Sequence, residues 1–280
     1  MHTQTQPSRF TRRGKTLVST LAAALLFTVV VPTATAYADD EPVRTQPHGA
    51  AHELSYSCDE TGRAQAQADY DAAIAAGDTP AFTFVTADPT TGEFLGTMED
   101  DVIFGTNGDD YIRAFAGNDY ICALDGDDTI IGDKGDDWIH AGDGDDWVDG
   151  GQDWDSILGR AGDDYLFGGD GNDWISGADG NDSILGRAGN DLLLGGADDD
   201  WMSGGNGRDD IRGENGHDYM LGGNQQDVLN GGEGNDQLIG EKDEPDADGN
   251  WGGDDYCTPG PSDPTSPIVQ LAGATCEVVL

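Results

Sequence analysis

Aspartate recurs at every ninth residue, without one insertion, from Asp110 to Asp236. An aliphatic residue or methionine follows each of these aspartates two positions later, from Ile112 to Leu238, and glycine precedes most of them by two positions. A disordered acidic chain has no reason to keep apolar residues locked to a nine-residue period. The period therefore indicates a repeat protein, in which each repeat stacks on its neighbours.

Each nonapeptide combines a glycine-rich turn with a short strand. Counted from Gly105, the first and fourth positions are mostly glycine, which tolerates positive φ and close backbone approach, so we expect positions one to six to form a tight turn. Positions seven to nine alternate in character, as in Trp138-Ile139-His140, so only the middle residue is expected to face a core. So short a strand needs hydrogen-bonded neighbours above and below it. The pattern predicts an all-β solenoid of about 15 repeats.

The first 38 residues are interpreted as a cleaved export signal. A basic start is followed by an apolar run over residues 17–31 and by the small-x-small sequence Ala36-Tyr37-Ala38. A membrane anchor is the alternative, but fifteen apolar residues fall short of the ~20 that a span needs. Arg12-Arg13 leaves open a twin-arginine export route. We expect a secreted, extracellular protein without a membrane anchor after cleavage.

The net charge of the chain limits the partners that it can bind through electrostatics. The formal net charge is −42, and it falls to −46 when the signal is removed. Such a chain cannot bind nucleic acid or an anionic membrane through electrostatics. Cations are therefore the expected partners.

The turns are rich in hard oxygen donors, namely carboxylates, asparagine amides and backbone carbonyls exposed by glycine. This donor set suits Ca²⁺, which takes six to eight oxygen ligands, and suits soft metals poorly. Mg²⁺ is less suitable because it requires near-octahedral geometry and loses its water reluctantly. The sequence therefore predicts multiple Ca²⁺ ions as cofactors.

Written as nonapeptides, the array begins with GTNGDDYIR (105–113) and ends with GGEGNDQLI (231–239). The common pattern, G-G-x-G-x-D-x-U-x with U aliphatic, resembles the calcium-binding repeat of the RTX, or haemolysin-type, family. The resemblance covers more than half of the mature chain. It implies a right-handed parallel β-roll with two nonapeptides per coil. It also implies that each ion lies between successive coils, bridged by position-six aspartates and turn carbonyls.

The candidate metal ligands are the aspartates at position six. They are Asp110, Asp119, Asp128, Asp137, Asp146, Asp155, Asp164, Asp173, Asp182, Asp191, Asp200, Asp209, Asp218, Asp227 and Asp236. Residues 105–239 carry 30 Asp and 2 Glu against 6 Lys and Arg, a balance of −26. A roll of this length has room for at most about thirteen dications, which would bring it close to neutrality. A glycine-rich solenoid that needs no metal is the alternative.

Five residues depart from the repeat and mark sites expected to be weak or empty. Asp153, Asp198 and Gln225 replace the fourth-position glycine, and Trp154 and Arg208 occupy the fifth position.

The chain divides by composition into four segments. Residues 1–38 form the signal peptide, 39–95 an N-terminal capping segment, 96–257 the calcium-binding roll and 258–280 a C-terminal capping tail. Asp101 to Phe104 fits a degenerate leading repeat. At the other end, residues 240–248 are read as an excluded half-coil, after which Asp254 and Tyr256 return in the original register.

Four cysteines remain after cleavage, which suggests two disulfides in an oxidising exterior and allows three connectivities. We predict Cys58–Cys122, because Cys122 faces outward near the first coils. We predict Cys257–Cys276 because the two bracket the tail.

Position seven faces outward and is often aromatic. One face of the roll shows an apolar stripe that includes Trp147, Phe167 and Trp201, whereas the other face is interrupted by polar residues. The stripe is explained either by β-propensity and stacking between coils or by a binding surface. An apolar face is usually covered, and the cover could be the segment before the array, the C-terminal tail or another copy. We expect Trp147, Phe167 and Trp201 to be largely buried in the native assembly.

No catalytic pattern is present in the sequence. His52-Glu53 is not completed as HExxH, because Tyr56 stands where the second histidine would be. We therefore expect no enzyme, but a secreted calcium-binding protein whose folding depends on the metal. The alternative is an adhesive or carbohydrate-binding module that uses calcium for its structure and the aromatic face for contact with glycans, other surfaces or a second copy. A small enzyme domain in residues 39–95 is disfavoured, because that segment lacks room for both a site and a core.

Overall fold

The computed structural model describes residues 56–88, 90–240, 255–258 and 276–278, the last two stretches as backbone only. Its helix and strands follow one another along the chain in this order. They are α1 (Glu60–Ala76), β1 (Thr83–Val85), β2 (Phe94–Leu95), β3 (Asp101–Phe104), β4 (Tyr111–Ala116), β5 (Tyr120–Asp125), β6 (Thr129–Lys134), β7 (Trp138–Asp143), β8 (Trp147–Gln152), β9 (Ser156–Ala161), β10 (Tyr165–Asp170), β11 (Trp174–Asp179), β12 (Ser183–Ala188), β13 (Leu192–Ala197), β14 (Trp201–Asn206), β15 (Asp210–Asn215), β16 (Tyr219–Asn224), β17 (Val228–Asn230), β18 (Gln237–Ile239), β19 (Asp255–Thr258) and β20 (Cys276–Val278).

The strands form two parallel sheets that face each other across one core. From β1 to β19, successive strands alternate between an eleven-stranded sheet, which ends with β19 and β20, and a nine-stranded sheet, which runs from β2 to β18. Residues 18 positions apart lie opposite each other, as Ile112 does to Ile130 and Ile121 to Ile139. Each coil therefore contains two nonapeptides. The predicted all-β parallel β-roll is confirmed, as a solenoid of about nine turns.

The core is a stack of the residues at position eight. From Ile112 to Leu238 every one of them is buried, and they form one continuous cluster. This confirms the inward position that the period predicts. Position one is buried as well, as at Ala114, Ala123 and Ala141. The expectation that only one residue per repeat faces the core is therefore wrong.

The division between strand and turn also differs from the expectation. A full strand such as β7 holds six residues, positions seven to nine and then one to three of the next repeat, so the turn is only positions four to six. Positive φ occurs at positions two and four, as at Gly142 (132°) and Gly144 (140°). In most repeats position one is also glycine, for a different reason. A Cβ at Gly132 would collide with Oδ2 of Asp137 and with the carbonyl oxygen of Gly150.

Helix α1 covers the beginning of the eleven-stranded sheet. Its N-cap is Asp59, whose carboxylate accepts the backbone N–H groups of Thr61 and Gly62. Ala66 of the helix packs in a cluster with Phe104 and Tyr120 of that sheet. No described helix is both long and apolar enough to cross a membrane.

The nine-stranded sheet carries the apolar stripe, whereas helix α1, from the segment before the array, packs on the eleven-stranded sheet. Tyr165 and Trp201 on its outer side are 57% and 37% exposed. Trp147 and Phe167 are half-buried and contact each other, with ring centroids 5.6 Å apart. Burial of this face by another copy stays a prediction.

The structure pairs Cys58 with Cys122, with Cα atoms 5.6 Å apart, as the sequence predicts. Oxidation of this pair in the natural protein stays a prediction. In the backbone register, Cys257 lies opposite Val278 and Cys276 opposite Asp255. The side chains of these two cysteines lie outside the described residues, so the second pairing stays a prediction.

The final coil departs from the expected register by one residue. Strand β19 pairs with β17 so that Cys257, and not Tyr256, lies opposite Leu229. The paired residues Leu229 and Cys257 are 28 positions apart, one more than the 27 that a coil of 18 residues plus one excluded nonapeptide would give. The signal peptide and the proposed excluded half-coil lie outside the described residues.

Candidate metal centre

The position-six aspartates form two columns, one along each row of turns. The first column runs from Asp101 to Asp227 and the second from Asp110 to Asp236, with 18 residues between members. In each column, Oδ1 of an aspartate accepts the backbone N–H of the aspartate one coil earlier, as Asp137 does from Asp119 (2.9 Å). The carboxylates thus point along the stack, and they are almost completely buried from Asp119 to Asp227.

A second ladder at position five runs in the opposite direction. Oδ1 of Asp109 accepts the backbone N–H of Asp127 one coil later (3.2 Å), and this series continues without a break to Nδ1 of His217. The equivalent position-five series beside the first column is interrupted at Trp154 and Arg208, because their side chains carry no hydrogen-bond acceptor. Trp154 and Arg208 therefore interrupt a row of oxygen atoms at two of the places where weak or empty calcium sites are expected.

The second oxygen of the ladder aspartates has no partner in the protein. Oδ2 is buried without a hydrogen bond at Asp119, Asp128, Asp137, Asp146, Asp155, Asp164, Asp173, Asp182, Asp191, Asp200, Asp209 and Asp218. A buried carboxylate oxygen without a donor costs free energy, so it is expected to bind a proton or a cation. Where position one is glycine, the absence of a Cβ keeps the space beside Oδ2 open, as Gly132 does for Asp137.

The electrostatic cost appears in the pKa values of the metal-free fold. Burial, as the largest cause, raises the pKa of Asp164 and Asp200 to about 8, of Asp173 to about 7 and of Asp182 to about 6. Neighbouring aspartates in the ladder raise several of these pKa values further. A nearby cation would reverse this effect by favouring the charged form.

The donor set consists of oxygen atoms. Among the described residues, no group of three or more His, Cys, Asp or Glu side chains converges on one point. A metal ion at the ladder would therefore need backbone carbonyls in addition to carboxylates. The glycine-rich turns expose such carbonyls, and hard cations prefer this combination.

The two ends of the columns differ from the middle. Asp110, a predicted ligand, accepts hydrogen bonds from the backbone N–H and the hydroxyl of Thr106. Asp236 is 7% exposed and accepts the backbone N–H of Asp218 at Oδ1. Asp101, which the sequence places in a degenerate leading repeat and not among the candidate ligands, continues the nine-residue period one step earlier and is completely buried.

Comparison with known families agrees with this architecture. The RTX calcium-binding nonapeptide repeat (4 copies) matches residues 95–130, 123–157, 149–184, 176–211, 185–220 and 212–243, which together span more than half of the chain. The chain therefore belongs to the RTX calcium-binding nonapeptide repeat family. No curated protein matches it.

Acidification should favour the fold of the metal-stripped protein. The folded-state pKa values of about 6 to 8 exceed the ordinary value of 3.8, so the folded state binds more protons than the unfolded state between about pH 4 and pH 8. Stability is therefore lost as the pH rises through that window and regained as it falls. We expect the far-ultraviolet circular dichroism of metal-free protein to gain β-structure between pH 8 and pH 5. The calcium-loaded protein serves as the control, and a metal-free spectrum that does not change with pH would argue against the buried ladder.

Proposed function

We propose that the protein is a secreted, non-enzymatic calcium-binding protein whose roll folds on binding several Ca²⁺ ions between stacked turns. The observation that carries this proposal is the ladder of buried Oδ2 atoms without protein donors. A row of buried carboxylates 18 residues apart in sequence, and one coil apart in space, repels itself unless protons or cations lie between its members.

The proposed ligands are the carboxylates of position six, joined by carbonyl oxygens of the same turns. The dications would neutralise most of the −26 balance of the repeats. Membership of the RTX repeat family supports Ca²⁺ in particular. The same proposal includes export directed by residues 1–38. It also includes the division of the remaining chain into the cap 39–95, the roll 96–257 and the tail 258–280.

Isothermal titration tests calcium binding. Metal-stripped protein at pH 7.5 should bind several Ca²⁺ ions per chain, in the ~10⁻⁴–10⁻³ M range that is typical of extracellular modules. Mg²⁺ in the same concentration range serves as the control and should bind much more weakly. Binding of one ion or none would contradict the proposal.

A second candidate function is glycan binding by the nine-stranded sheet. A cleft of about 390 Å³ on that sheet is lined by Lys134, Asp149 and Arg187, with Gly151 and Gly169 among its lining residues. The Arg187 guanidinium pairs with Asp149 (3.1 Å) and lies 4.6 Å above the ring of Phe167. Aromatic faces beside charged hydrogen-bonding groups suit a sugar ring.

A glycan-array screen tests this second candidate. Binding should occur in calcium, disappear in chelator and weaken in Arg187→Ala, with Arg212→Ala on the other sheet as the matched control. A calcium-loaded protein that binds no glycan would reject it.

A further inference from the structure

Two turns at the N-terminal end satisfy their aspartates with threonine. In the turn 106–110, the backbone N–H of Thr106 donates to Oδ2 of Asp110 (2.5 Å), and the Thr106 hydroxyl lies 3.1 Å from both carboxylate oxygens. In the turn 97–101, Thr97 makes the same contacts to Asp101, at 2.6 Å from the N–H and 3.1 and 3.2 Å from the hydroxyl. Oδ2 of both carboxylates therefore has protein donors, whereas Oδ2 of the later ladder aspartates has none.

The backbone of these two turns also differs from that of the later ones. At position two, Phe115, Leu124 and their successors as far as Gly232 have positive φ, and most of them continue a strand. Thr97 and Thr106 do not have positive φ and lie outside the strands, since β2 ends at Leu95 and β3 ends at Phe104. The different conformation lets the position-two N–H face the carboxylate.

Such a turn is unfavourable for a cation. The backbone N–H of each threonine directs its positive end at Oδ2, an oxygen atom that a metal ion would need, and the hydroxyl lies within hydrogen-bond distance of the same carboxylate. An ion bound there would have to displace both hydrogen bonds of the threonine, and it would face an amide donor in place of a carbonyl ligand. Oδ2 of Asp128, the next member of the second column, faces no such donor.

The same end of the roll has a core of its own near the turns 97–101 and 106–110. Phe82, Val102, Phe104 and Tyr120 pack against helix α1 through Ala66. The Tyr120 hydroxyl donates to the backbone oxygen of Tyr56 (2.7 Å), and Arg63 donates to that of Phe104 (3.0 Å). The pairing of Cys58 with Cys122 joins the helix segment to β5.

We propose that the turns 97–101 and 106–110 bind no calcium, and that the N-terminal end is a metal-independent start on which the calcium-dependent coils stack. This inference rests on the proposed function. It removes Asp110 from the proposed metal ligands and places it in the metal-independent start of the roll.

Matched asparagine variants test the assignment of ligands. Asp110→Asn and Asp128→Asn change neighbouring members of one column, and both keep an Oδ1 acceptor. By equilibrium dialysis with ⁴⁵Ca²⁺, Asp110→Asn should bind as many ions as the wild type, whereas Asp128→Asn should bind at least one fewer. An equal loss in the two variants would overturn the inference. Wild-type protein that binds no calcium would instead overturn the proposed function.

Hydrogen exchange of the full chain in excess chelator tests the metal-independent start. Peptides that cover residues 94–125 should remain protected, while peptides that cover 156–230 should exchange like an unfolded chain. Thr106→Val, which lacks the hydroxyl, should reduce protection of the first group in chelator without lowering the number of ions bound in calcium. Equal exchange of the two groups in chelator would contradict the inference.

Discussion

Withdrawal of calcium is expected to unfold the roll over β8 to β18, with loss of most of its β-structure. Each repeat buries one large apolar side chain for every nine residues that it orders, so the hydrophobic gain per residue is small. At neutral pH the metal-free fold also has to bury its carboxylates, and both available forms cost free energy. A protonated carboxylate must take up a proton near neutral pH, and a charged one is repelled by its neighbours in the column. Bound calcium removes that cost, and its binding free energy becomes folding free energy.

Circular dichroism during a calcium titration measures this transition. The spectrum should change from disordered to β-rich at ~10⁻⁴–10⁻³ M calcium. The change should be cooperative because each site needs a neighbouring coil. Magnesium at equal concentration serves as the control. A β-rich spectrum in excess chelator that millimolar calcium leaves unchanged would refute the metal dependence of the fold.

Replacing Asp173 by alanine is expected to disrupt the roll more than replacing Asp110. Asp173 lies in the middle of the first column, where its Oδ1 accepts the backbone N–H of Asp155 (2.9 Å) and its Oδ2 has no protein donor. The variant leaves a buried N–H without an acceptor, which alone costs about 1–3 kcal/mol, and it also removes a proposed ligand. Asp110 is only partly buried and lies at the end of the array.

The calcium concentration at the folding midpoint separates the two variants. Asp173→Ala should raise that midpoint about tenfold or more, since each 1.4 kcal/mol of lost binding corresponds to a factor of ten. Asp110→Ala should raise it much less. Equal shifts would show that the position within the stack does not matter.

The sequence alone predicts the features that follow from the nine-residue period. The core residues from Ile112 to Leu238 and the aligned position-six aspartates both depend only on which positions repeat. The uses of the individual glycines were harder to predict. Where position one is glycine, as at Gly132, a Cβ would collide with a carboxylate, whereas positions two and four take up positive φ.

The nine-residue repeat does not predict which sheet helix α1 covers. It does not predict the register of β19 either. Both depend on contacts with segments that do not follow the period, such as the packing of Ala66 beside Tyr120. The role of Thr106 has a visible signal, a hydroxyl residue at position two. Its meaning requires the backbone conformation, which lets the threonine N–H and hydroxyl meet the carboxylate of Asp110.

The proposed metal-dependent folding of the roll requires cations along the two aspartate columns. Anomalous diffraction from crystals grown in millimolar calcium, or with a lanthanide substituted for it, tests that placement directly. We predict two rows of peaks, one along each column, beside the Oδ2 atoms from Asp119 to Asp218, with no peak at Asp101 or Asp110. A folded roll whose ladder carboxylates show no bound cation would contradict the account.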